Sequence, residues 1–230
     1  MKVSLIIPVL NEADCIGALL AELPPDAADE VLVVDNGSTD ATAEIARRAG
    51  VRVISEPRRG YGYACAAGVA AASGEVLVFM DGDGSFLPEQ IPTLVAAITK
   101  GRADMALGTR MQGGMVAGSM PPHQRFGNQL VAWLVRRIYG LPITDLGPFR
   151  AIRRALLDQL AMRERTYGWP IEMIVKAARR GAVIVELPVG YRPRFAGQSK
   201  VGGTLRGTIL ATYRILSVTL RYSLGRREVL

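Results

Sequence analysis

The chain has 230 residues, of which 49% are hydrophobic, and it carries a formal net charge of +7. This length and apolar content suffice for a buried core, so the composition excludes a disordered chain. Only two cysteines, Cys15 and Cys65, are present, and their spacing argues against a disulfide framework or a structural zinc site. The excess of arginine fits an anionic partner, although solvated surface charge explains it equally well.

The first part of the chain alternates short apolar strands with helices. We predict strands over residues 3–9, 30–35, 51–55, 75–81 and 103–109, with helices over 12–23, 38–50, 60–73 and 88–101. This alternation predicts an α/β fold with a mainly parallel, doubly wound sheet that is covered by helices on both faces. Ligands of such sheets bind beyond the carboxyl ends of the strands.

After residue 110 the character of the sequence changes. Residues 111–124 are rich in Gly, Met and Pro and predict a mobile loop. Further helices are predicted over 126–140, around 151–161 and over 170–180, followed by a strand at 182–189 and a helix at 204–222. No run of about 18 uncharged apolar residues occurs, so we expect no membrane-spanning helix.

The helix at 204–222 is amphipathic by pattern. Its apolar face comprises Leu205, Ile209, Tyr213, Leu216 and Leu220, and beside that face lie Arg206, Arg214 and Arg221. Such a helix suits a membrane interface, and it equally suits packing on the domain. The pattern alone does not separate the two.

Two aspartates end the predicted strand at 75–81 in the stretch "MDGDGS", residues 80–85. Asp81 and Asp83 lie one residue apart, and Asp35 ends another strand. Carboxylate oxygens suit Mg²⁺ or Mn²⁺, which commonly bridge phosphate groups. The alternative is an Asp-Gly turn in which either carboxylate accepts a local backbone hydrogen bond.

Several motifs in order resemble those of family 2 glycosyltransferases, which have the GT-A fold and invert the anomeric centre. They are "PVLNE" (8–12), "VVDNGSTD" (33–40), "GYGYACAAGVAAASGE" (60–75), "MDGDGS" (80–85) and "GTR" (108–110). Later motifs resemble the branch that makes polyprenyl-phosphate or dolichol-phosphate sugars: "RFGN" (125–128), "TDLGPFRAIRR" (144–154), "YGWPIEM" (167–173) and "GQSKVGG" (197–203). The resemblance covers nearly the whole chain.

The resemblance implies a nucleotide-sugar site at the strand ends. Asp35 would contact the base, Asp81 would lie near the ribose and diphosphate, and Asp83 would be the principal ligand of Mg²⁺ or Mn²⁺, with Asp81 as a second ligand. The remaining residues implied at this site are Pro8, Asn11, Glu12 and Gly60. The chain departs from the commonest family pattern at Asn36 and Ser85, which bear on base preference and on the third metal ligand.

The resemblance also implies an acceptor site in the second half. An anionic lipid phosphate needs orientation and charge compensation, which basic side chains supply. The candidates are Arg110, Arg125, Arg150, Ser199 and Lys200, of which Arg110 and Arg125, with Asp83, would serve catalysis. For each arginine the alternative is a surface salt bridge.

Trp169 and Glu172 would position the sugar. For Trp169 the alternative is core packing, and for Glu172 it is a contact with a helix dipole or service as a general base.

The resemblance implies one GT-A domain over residues 1–222, with a donor half (1–110), an acceptor half (111–203), the amphipathic helix (204–222) and a basic tail (223–230). The expected activity is transfer of mannose or glucose from a GDP- or UDP-sugar to a polyprenyl phosphate. We expect the protein in the cytoplasm, peripheral to the inner face of the cell membrane, and no nucleic-acid partner. The oligomeric state stays open.

Three alternatives remain. The first is transfer to a soluble phosphorylated or hydroxyl acceptor. The second is dinucleotide binding through "RGYGYAC" (59–65), in which Cys65 replaces the third glycine of the fingerprint. The third is a non-catalytic basic module that binds nucleic acid or an anionic membrane, which leaves the paired aspartates unexplained.

Overall fold

The computed structural model describes residues 1–197, Ser199 and residues 205–223, with side chains from residue 211 onward in the last range. In this part of the chain the strands are β1 Val3–Val9, β2 Glu30–Asp35, β3 Arg52–Ser55, β4 Val76–Phe79, β5 Met105–Thr109, β6 Arg150–Arg153 and β7 Ile184–Pro188. The helices are α1 Ala13–Ala21, α2 Thr42–Arg48, α3 Tyr61–Ala71, α4 Ile91–Thr99, α5 Pro122–Tyr139, α6 Arg154–Leu160, α7 Trp169–Arg179 and α8 Leu205–Arg221. A short 3₁₀ helix, Pro88–Gln90, precedes α4. Apart from its first residue, the predicted basic tail lies outside the described residues.

The strands form one sheet in the order β3-β2-β1-β4-β6-β5-β7. Neighbouring strands are parallel except at β6, which runs antiparallel to both β4 and β5. Alternate side chains of β1 point to opposite faces: Leu5 and Ile7 join the cluster that includes α1 and α4, and Ile6 joins the cluster that includes α3 and α7. The predicted α/β fold with a mainly parallel, doubly wound sheet is confirmed.

Strand β6 is an element that the sequence analysis misses. A helix is predicted around residues 151–161, whereas the structure has a strand at Arg150–Arg153 and α6 begins only at Arg154. Four residues are too few for periodicity to separate a strand from the first turn of a helix. Ala151 and Ile152 are buried because β6 pairs with β4 on one side and with β5 on the other. The tertiary pairing decides this element.

The connection between β5 and α5 is shorter than the predicted loop at 111–124, because α5 begins at Pro122. It is also tied to the segment that follows β7. The amide of Val116 donates a hydrogen bond to the carbonyl of Tyr191 at 2.8 Å, and Met115 forms an isolated β-bridge with the same residue. The connection therefore packs beside the carboxyl end of β7.

Helix α8 packs against α5 and α7. Ala211 and Val218 are buried and Leu216 packs partly against the core, whereas Tyr213 and Leu220 are 66% and 50% exposed. The predicted apolar face of this helix is thus divided between core and surface, and the side chains of its members before residue 211 lie outside the described residues. Among the described helices, none combines the length and hydropathy that a membrane crossing requires.

Helix α3 lies close to the sheet because a glycine is at the contact. The Cβ that Gly68 lacks would lie 2.4 Å from Cγ2 of Ile6 and 3.0 Å from Cγ2 of Val34. Any larger side chain would push the helix away from β1 and β2. Gly68 therefore sets the height of α3, and with it the position of the N-terminus of α3 above the sheet.

We expect Gly68→Ala to lower the free energy of unfolding by about 1 to 3 kcal/mol, because the added methyl overpacks the contact with the sheet. The matched control is Gly127→Ala, also inside a helix, where an added Cβ would meet no atom within 4 Å. That variant should gain about 0.5 to 1 kcal/mol from helix propensity. Denaturant unfolding followed by circular dichroism gives both values; equal gains would show that α3 has room to move.

Candidate functional site

The carboxyl ends of β1, β2, β4 and β5 lie along one edge of the sheet, where ligands of this architecture bind. Glu12 follows β1, Asp81 and Asp83 follow β4, and Arg110 follows β5. The charges of Asp83, Arg110 and Glu12 all act on Asp81, so these side chains lie near one another. The structure thus brings together residues that the sequence analysis selected from three separate motifs.

Asp81 is the most strongly perturbed acid of this group. Burial, followed by the neighbouring charge of Asp83, raises the pKa of Asp81 to about 7, against the lowering effect of Arg110 and Arg150. Glu12 adds a smaller repulsion. A cation at this position would favour the charged form of Asp81.

Asp83 closes a local turn, as the alternative interpretation of its sequence predicts. Its Oδ1 accepts hydrogen bonds from the amide of Ser85 at 3.0 Å and from the hydroxyl of Ser85 at 2.6 Å, so the carboxylate closes a local turn. Its Oδ2 lies 3.7 Å from Nη1 of Arg194, and the side chain remains 20% exposed. The turn therefore holds one oxygen and leaves the other directed at a positive charge.

The segment 191–197 after β7 covers this turn through backbone hydrogen bonds. The amide of Arg192 donates to the carbonyl of Ser85 at 3.0 Å, and the amide of Phe195 donates to the carbonyl of Asp83 at 3.1 Å. These bonds fix the segment directly over the paired aspartates.

Arg194 in this segment is a site residue that the sequence analysis missed. Its guanidinium donates a hydrogen bond to the carboxylate of Glu12 and approaches Asp83 at 3.7 Å. It connects acids from two different strand ends. The signal for it was the stretch "YRPRF" (191–195), which places two arginines just before the "GQSK" motif.

The donor set at this edge fits a divalent cation. Among the described residues, no three side chains of His, Cys, Asp or Glu cluster as a complete metal site. Mg²⁺ usually binds through one or two carboxylates together with substrate phosphates, so a full protein cage is not required. Asp83, whose Oδ2 faces Arg194 rather than the turn, and Asp81, whose charge is disfavoured by burial and by Asp83, supply such a pair.

Asn36, one of the departures from the family pattern, organises the neighbouring loop. Its Nδ2 donates to the carbonyls of Glu56 at 3.0 Å and Arg58 at 2.7 Å, while its Oδ1 accepts from the amide of Gly60 at 2.8 Å. Asp35 beside it is buried and accepts a hydrogen bond from the amide of Ser38 at 3.0 Å. An amide at position 36 can both donate and accept, which an ionised aspartate cannot do.

Gly60 and the β1 loop hold unusual backbone conformations. Gly60 has φ 147°, and a Cβ there would lie 2.3 Å from the carbonyl oxygen of Arg165. Asn11 has φ 50°, and its Oδ1 accepts a hydrogen bond from the amide of Thr39 at 2.8 Å. Pro8 is buried within β1. All three lie where the motif places them, at or next to loops that border the edge of the sheet.

Arg110 forms a buried ion pair with Asp145. Its amide and Nε donate to Asp145 Oδ2 at 2.7 and 2.8 Å, and its Nη2 donates to Oδ1 at 2.7 Å. The guanidinium also lies 5.1 Å from the ring centroid of Tyr191. Although burial raises the pKa of Asp145, Arg110 holds it below its usual range. Much of the hydrogen-bonding capacity of Arg110 is thus directed at Asp145.

Arg150, which is predicted to bind the acceptor phosphate, lies inside the protein. The side chain is 1% exposed, and its guanidinium donates to backbone carbonyls, including that of Pro170 at 2.8 Å and that of Leu146 at 3.2 Å. It joins the start of β6 to α7 from inside the protein. An arginine at the start of a four-residue strand gives no sequence signal of such burial.

Glu172, which is predicted to position the sugar, has a completely buried side chain. Its carboxylate accepts hydrogen bonds from the amide of Glu164 at 2.7 Å and from the hydroxyl of Tyr222 at 2.7 Å, and it pairs with Lys176 at 2.9 Å. Burial raises the pKa of Glu172, but Lys176 and these hydrogen bonds lower it by more, so the pKa lies below its usual value. Glu172 joins α7 to the end of α8.

The structure places the remaining predicted residues in different settings. Trp169 is 3% exposed, and its Nε1 has no hydrogen-bond partner in the described part of the chain. Arg125 is exposed in the first turn of α5, and Ser199 is half-buried. Lys200 lies outside the described residues.

A family model described as glycosyl transferase family 2 matches residues 4–161, which include β1 to β6 and the acidic edge. Among curated proteins, an uncharacterized glycosyltransferase of Mycobacterium tuberculosis is 44% identical over 210 residues, covering 91% of this chain and 94% of the relative.

Two further relatives have named activities. A dolichyl-phosphate hexose transferase of Haloferax volcanii is 38% identical, covering 83% of this chain and 82% of the relative. An undecaprenyl-phosphate mannosyltransferase of Micrococcus luteus is 34% identical, covering 90% of each chain.

Among solved structures, glucosyl-3-phosphoglycerate synthase of Mycobacterium tuberculosis, in complex with Mn²⁺, uridine diphosphate and phosphoglyceric acid, superposes with a TM-score of 0.78. It is 24% identical, and the match covers 99% of this chain and 80% of that one. The likeness shows the fold and confirms the predicted GT-A architecture. With the family model over residues 4–161 and relatives of 34 to 44% identity along most of its length, this chain belongs to glycosyl transferase family 2.

Proposed function

We propose that this glycosyltransferase moves a hexose from a nucleoside diphosphate sugar to a polyprenyl phosphate, with inversion at the anomeric carbon, in a reaction that depends on Mg²⁺ or Mn²⁺. The bond from the anomeric carbon to the diphosphate breaks as an acceptor phosphate oxygen bonds to that carbon. The observation that carries the proposal is the pair Asp81 and Asp83 at the ligand edge of the sheet, with the pKa of Asp81 raised to about 7.

The donor half of the proposal rests on the acidic edge. Asp83 and Asp81 would bind the cation, which would offset the charge that develops on the departing nucleoside diphosphate. Arg194 lies against Glu12 and Asp83, and a guanidinium can turn its donors from carboxylates to a diphosphate. Asp35 is proposed to contact the base from the end of β2.

The acceptor half rests on chemistry and on the relatives. A lipid phosphate is already anionic near neutral pH, its second pKa being about 6, so it needs charge compensation more than a general base. Exposed Arg125, together with Ser199 and Lys200, would compensate the charge of the acceptor phosphate. Arg110, which stays paired with Asp145, would place its positive charge near the reacting groups. Two relatives carry names that specify dolichyl and undecaprenyl phosphate.

A lipid acceptor also implies a location. We place the protein in the cytoplasm as a peripheral protein at the inner face of the cell membrane, where polyprenyl phosphate and soluble nucleotide sugar meet. Trp169, whose buried Nε1 lacks a partner among the described residues, is proposed to meet the sugar.

A second candidate is transfer to a soluble phosphorylated acceptor. The solved structure with a TM-score of 0.78 holds phosphoglyceric acid together with Mn²⁺ and uridine diphosphate. A phosphate on a small acid and a phosphate on a lipid present the same anionic oxygens, so the basic residues proposed here suit either.

A matrix of donors and acceptors separates the two candidates. GDP-mannose and UDP-glucose are each combined with a polyprenyl phosphate or with phosphoglyceric acid, in Mg²⁺ or Mn²⁺, and products are identified by mass spectrometry. The proposal expects a lipid-linked hexose from one donor. Transfer only to phosphoglyceric acid would instead establish the second candidate.

We expect Asp81→Asn to stabilise the metal-free protein at pH 8 and to change its stability little at pH 4. The carboxyl of an unfolded aspartate titrates near pH 4, whereas burial and Asp83 raise the folded pKa to about 7. The unfolded state therefore loses this proton first, and wild-type stability falls as pH rises between these values. Thermal unfolding across this pH range tests the difference, with Asp26→Asn on the surface as control. A pH-independent gain would contradict it.

Asp83→Ala should weaken metal-dependent binding of nucleoside diphosphate while the fold is retained. The loss should be at least the roughly 10- to 100-fold seen when supporting contacts of a metal site are removed. Isothermal titration with GDP or UDP, with and without Mn²⁺, measures it, and circular dichroism checks the fold. Unchanged metal-dependent affinity would limit Asp83 to its turn with Ser85.

Arg125→Ala should lower kcat/KM for the acceptor by roughly 10- to 100-fold, equivalent to one charge-assisted hydrogen bond, and leave donor affinity unchanged. Arg102→Ala, at another exposed position, serves as the matched control. An equal loss of donor affinity would contradict the division into donor and acceptor contacts.

A further inference from the structure

Helix α5 presents an apolar stripe to solvent. Phe126, Leu130 and Trp133 are 68%, 39% and 51% exposed. Their spacing of four and three residues places them on one face of the helix. We call these residues the α5 stripe.

The α5 stripe is additional to the face that holds the helix on the protein. Val131, Ala132 and Val135 are buried, so the helix already packs its other side against the domain. Singly exposed apolar residues are common, but a row of three large ones, two of them aromatic, is typical of a surface that another body covers.

Positive charge surrounds the α5 stripe. Arg125 precedes it, Arg136 and Arg137 follow it, and all three are exposed. The sequence of α5 contains no aspartate or glutamate. Aromatic side chains flanked by arginines suit the interface of an anionic bilayer, where rings enter the headgroup region and guanidinium groups meet lipid phosphate.

The α5 stripe is continuous with the candidate site. A cavity of about 550 Å³ lies between α5 and the connection after β5, and its lining includes Phe126, Trp133, Arg136 and Thr144. The hydroxyl of Thr144 lies 2.9 Å from that of Thr109 at the end of β5. Thr144 also directly precedes Asp145, the partner of Arg110. An apolar surface that borders the strand ends therefore faces the side from which a lipid acceptor would arrive.

A second copy of the chain suits this surface less well. A symmetric interface would place the same arginine-rich face on both subunits, and α5 offers no acid to pair with them. Anionic lipid supplies the missing negative charge. Charge complementarity thus selects a membrane over self-association.

We propose that α5 is a membrane-docking helix, which lays Phe126, Leu130 and Trp133 into an anionic bilayer surface with Arg136 and Arg137 at the headgroups. The inference rests on the proposed function in that it gives a lipid acceptor a route to the strand ends. It assigns docking chiefly to α5, whereas the sequence pattern raised a membrane interface for the helix at 204–222.

The two tryptophans of the chain provide a direct probe, because Trp133 is exposed and Trp169 is buried. Vesicles of phosphatidylcholine with or without phosphatidylglycerol are added to the full chain. With phosphatidylglycerol present, we expect a blue shift of fluorescence and quenching by brominated lipid. Trp133→Phe should lose most of that signal, since Trp169 stays in the core. Quenching that is unchanged in Trp133→Phe would overturn the inference.

Vesicle flotation measures the binding itself. Trp133→Ser and Phe126→Ser should each weaken binding by roughly tenfold, because each removes a large apolar group from the lipid contact. Arg136→Glu should weaken binding to anionic vesicles, whereas Arg47→Glu on α2 and Val183→Ser before β7 are matched controls for charge and for exposed apolar area. Wild-type affinity for vesicles in all three α5 variants would overturn the inference. It would also be overturned if wild type were a dimer, the variants were monomers, and vesicle binding were the same in all of them.

Activity in detergent separates this inference from the proposed function. An α5 variant that no longer binds vesicles but still glycosylates detergent-dispersed polyprenyl phosphate supports docking through α5. If wild type binds anionic vesicles through the α5 stripe yet transfers sugar to no polyprenyl phosphate, the docking inference stands and the lipid acceptor is wrong.

Discussion

Repulsion among acidic side chains at one edge of the sheet is the constraint on which this site depends. Parallel strands end together, so Glu12, Asp81 and Asp83 meet although their motifs are far apart in sequence. Burial makes the repulsion stronger than it would be in water. Each acid is therefore matched by a positive charge or by local hydrogen bonds, and Arg194 lies between two of them. A diphosphate with a divalent cation suits such an edge because it brings both an anion for the arginine and a cation for the aspartates.

The ion pair between Arg110 and Asp145 extends this charge balance into the interior. Removing one partner from such a pair commonly costs about 3 to 5 kcal/mol, since the other charge stays buried. The pair also fixes the backbone, because Asp145 accepts from the Arg110 amide, and the amides of Thr144 and Asp145 donate to Glu186. The end of β5, the "TDLG" segment and β7 thus form one rigid frame. That frame keeps positive charge beside Asp81 without leaving Arg110 unpaired.

Sequence predicted the parts of this protein that depend on local pattern. Apolar runs ending in aspartate located the strands and their ligand edge, and the motifs implied one site for Glu12, Asp81 and Asp83, with Arg110 assigned to the acceptor. It failed where distant contacts decide. Arg150 looks like a surface cation but is buried among backbone carbonyls, because β6 lies between two other strands. Glu172 lies in the first helical turn of α7, yet besides Lys176 its partners come from the chain before α7 and from Tyr222 just after α8. The sequence periodicity of β6 does not show which strands lie beside it, and that of α5 does not show which of its sides is exposed.

The proposed donor and acceptor contacts share one short segment after β7. The backbone of residues 191–197 is hydrogen-bonded to the turn that holds Asp83, and Ser199, predicted to meet the acceptor phosphate, follows only a few residues later. The guanidinium of Arg194 is also bound to this segment itself, since its Nε donates to the carbonyl of Ala196. A ligand that engages Arg194 therefore acts on the backbone that leads to Ser199. The connection between β5 and α5 meets the same segment at Tyr191, so the chain that leads into α5 is joined to it as well. In this arrangement the proposed nucleotide site and the face proposed to meet the membrane are physically linked through residues 191–197.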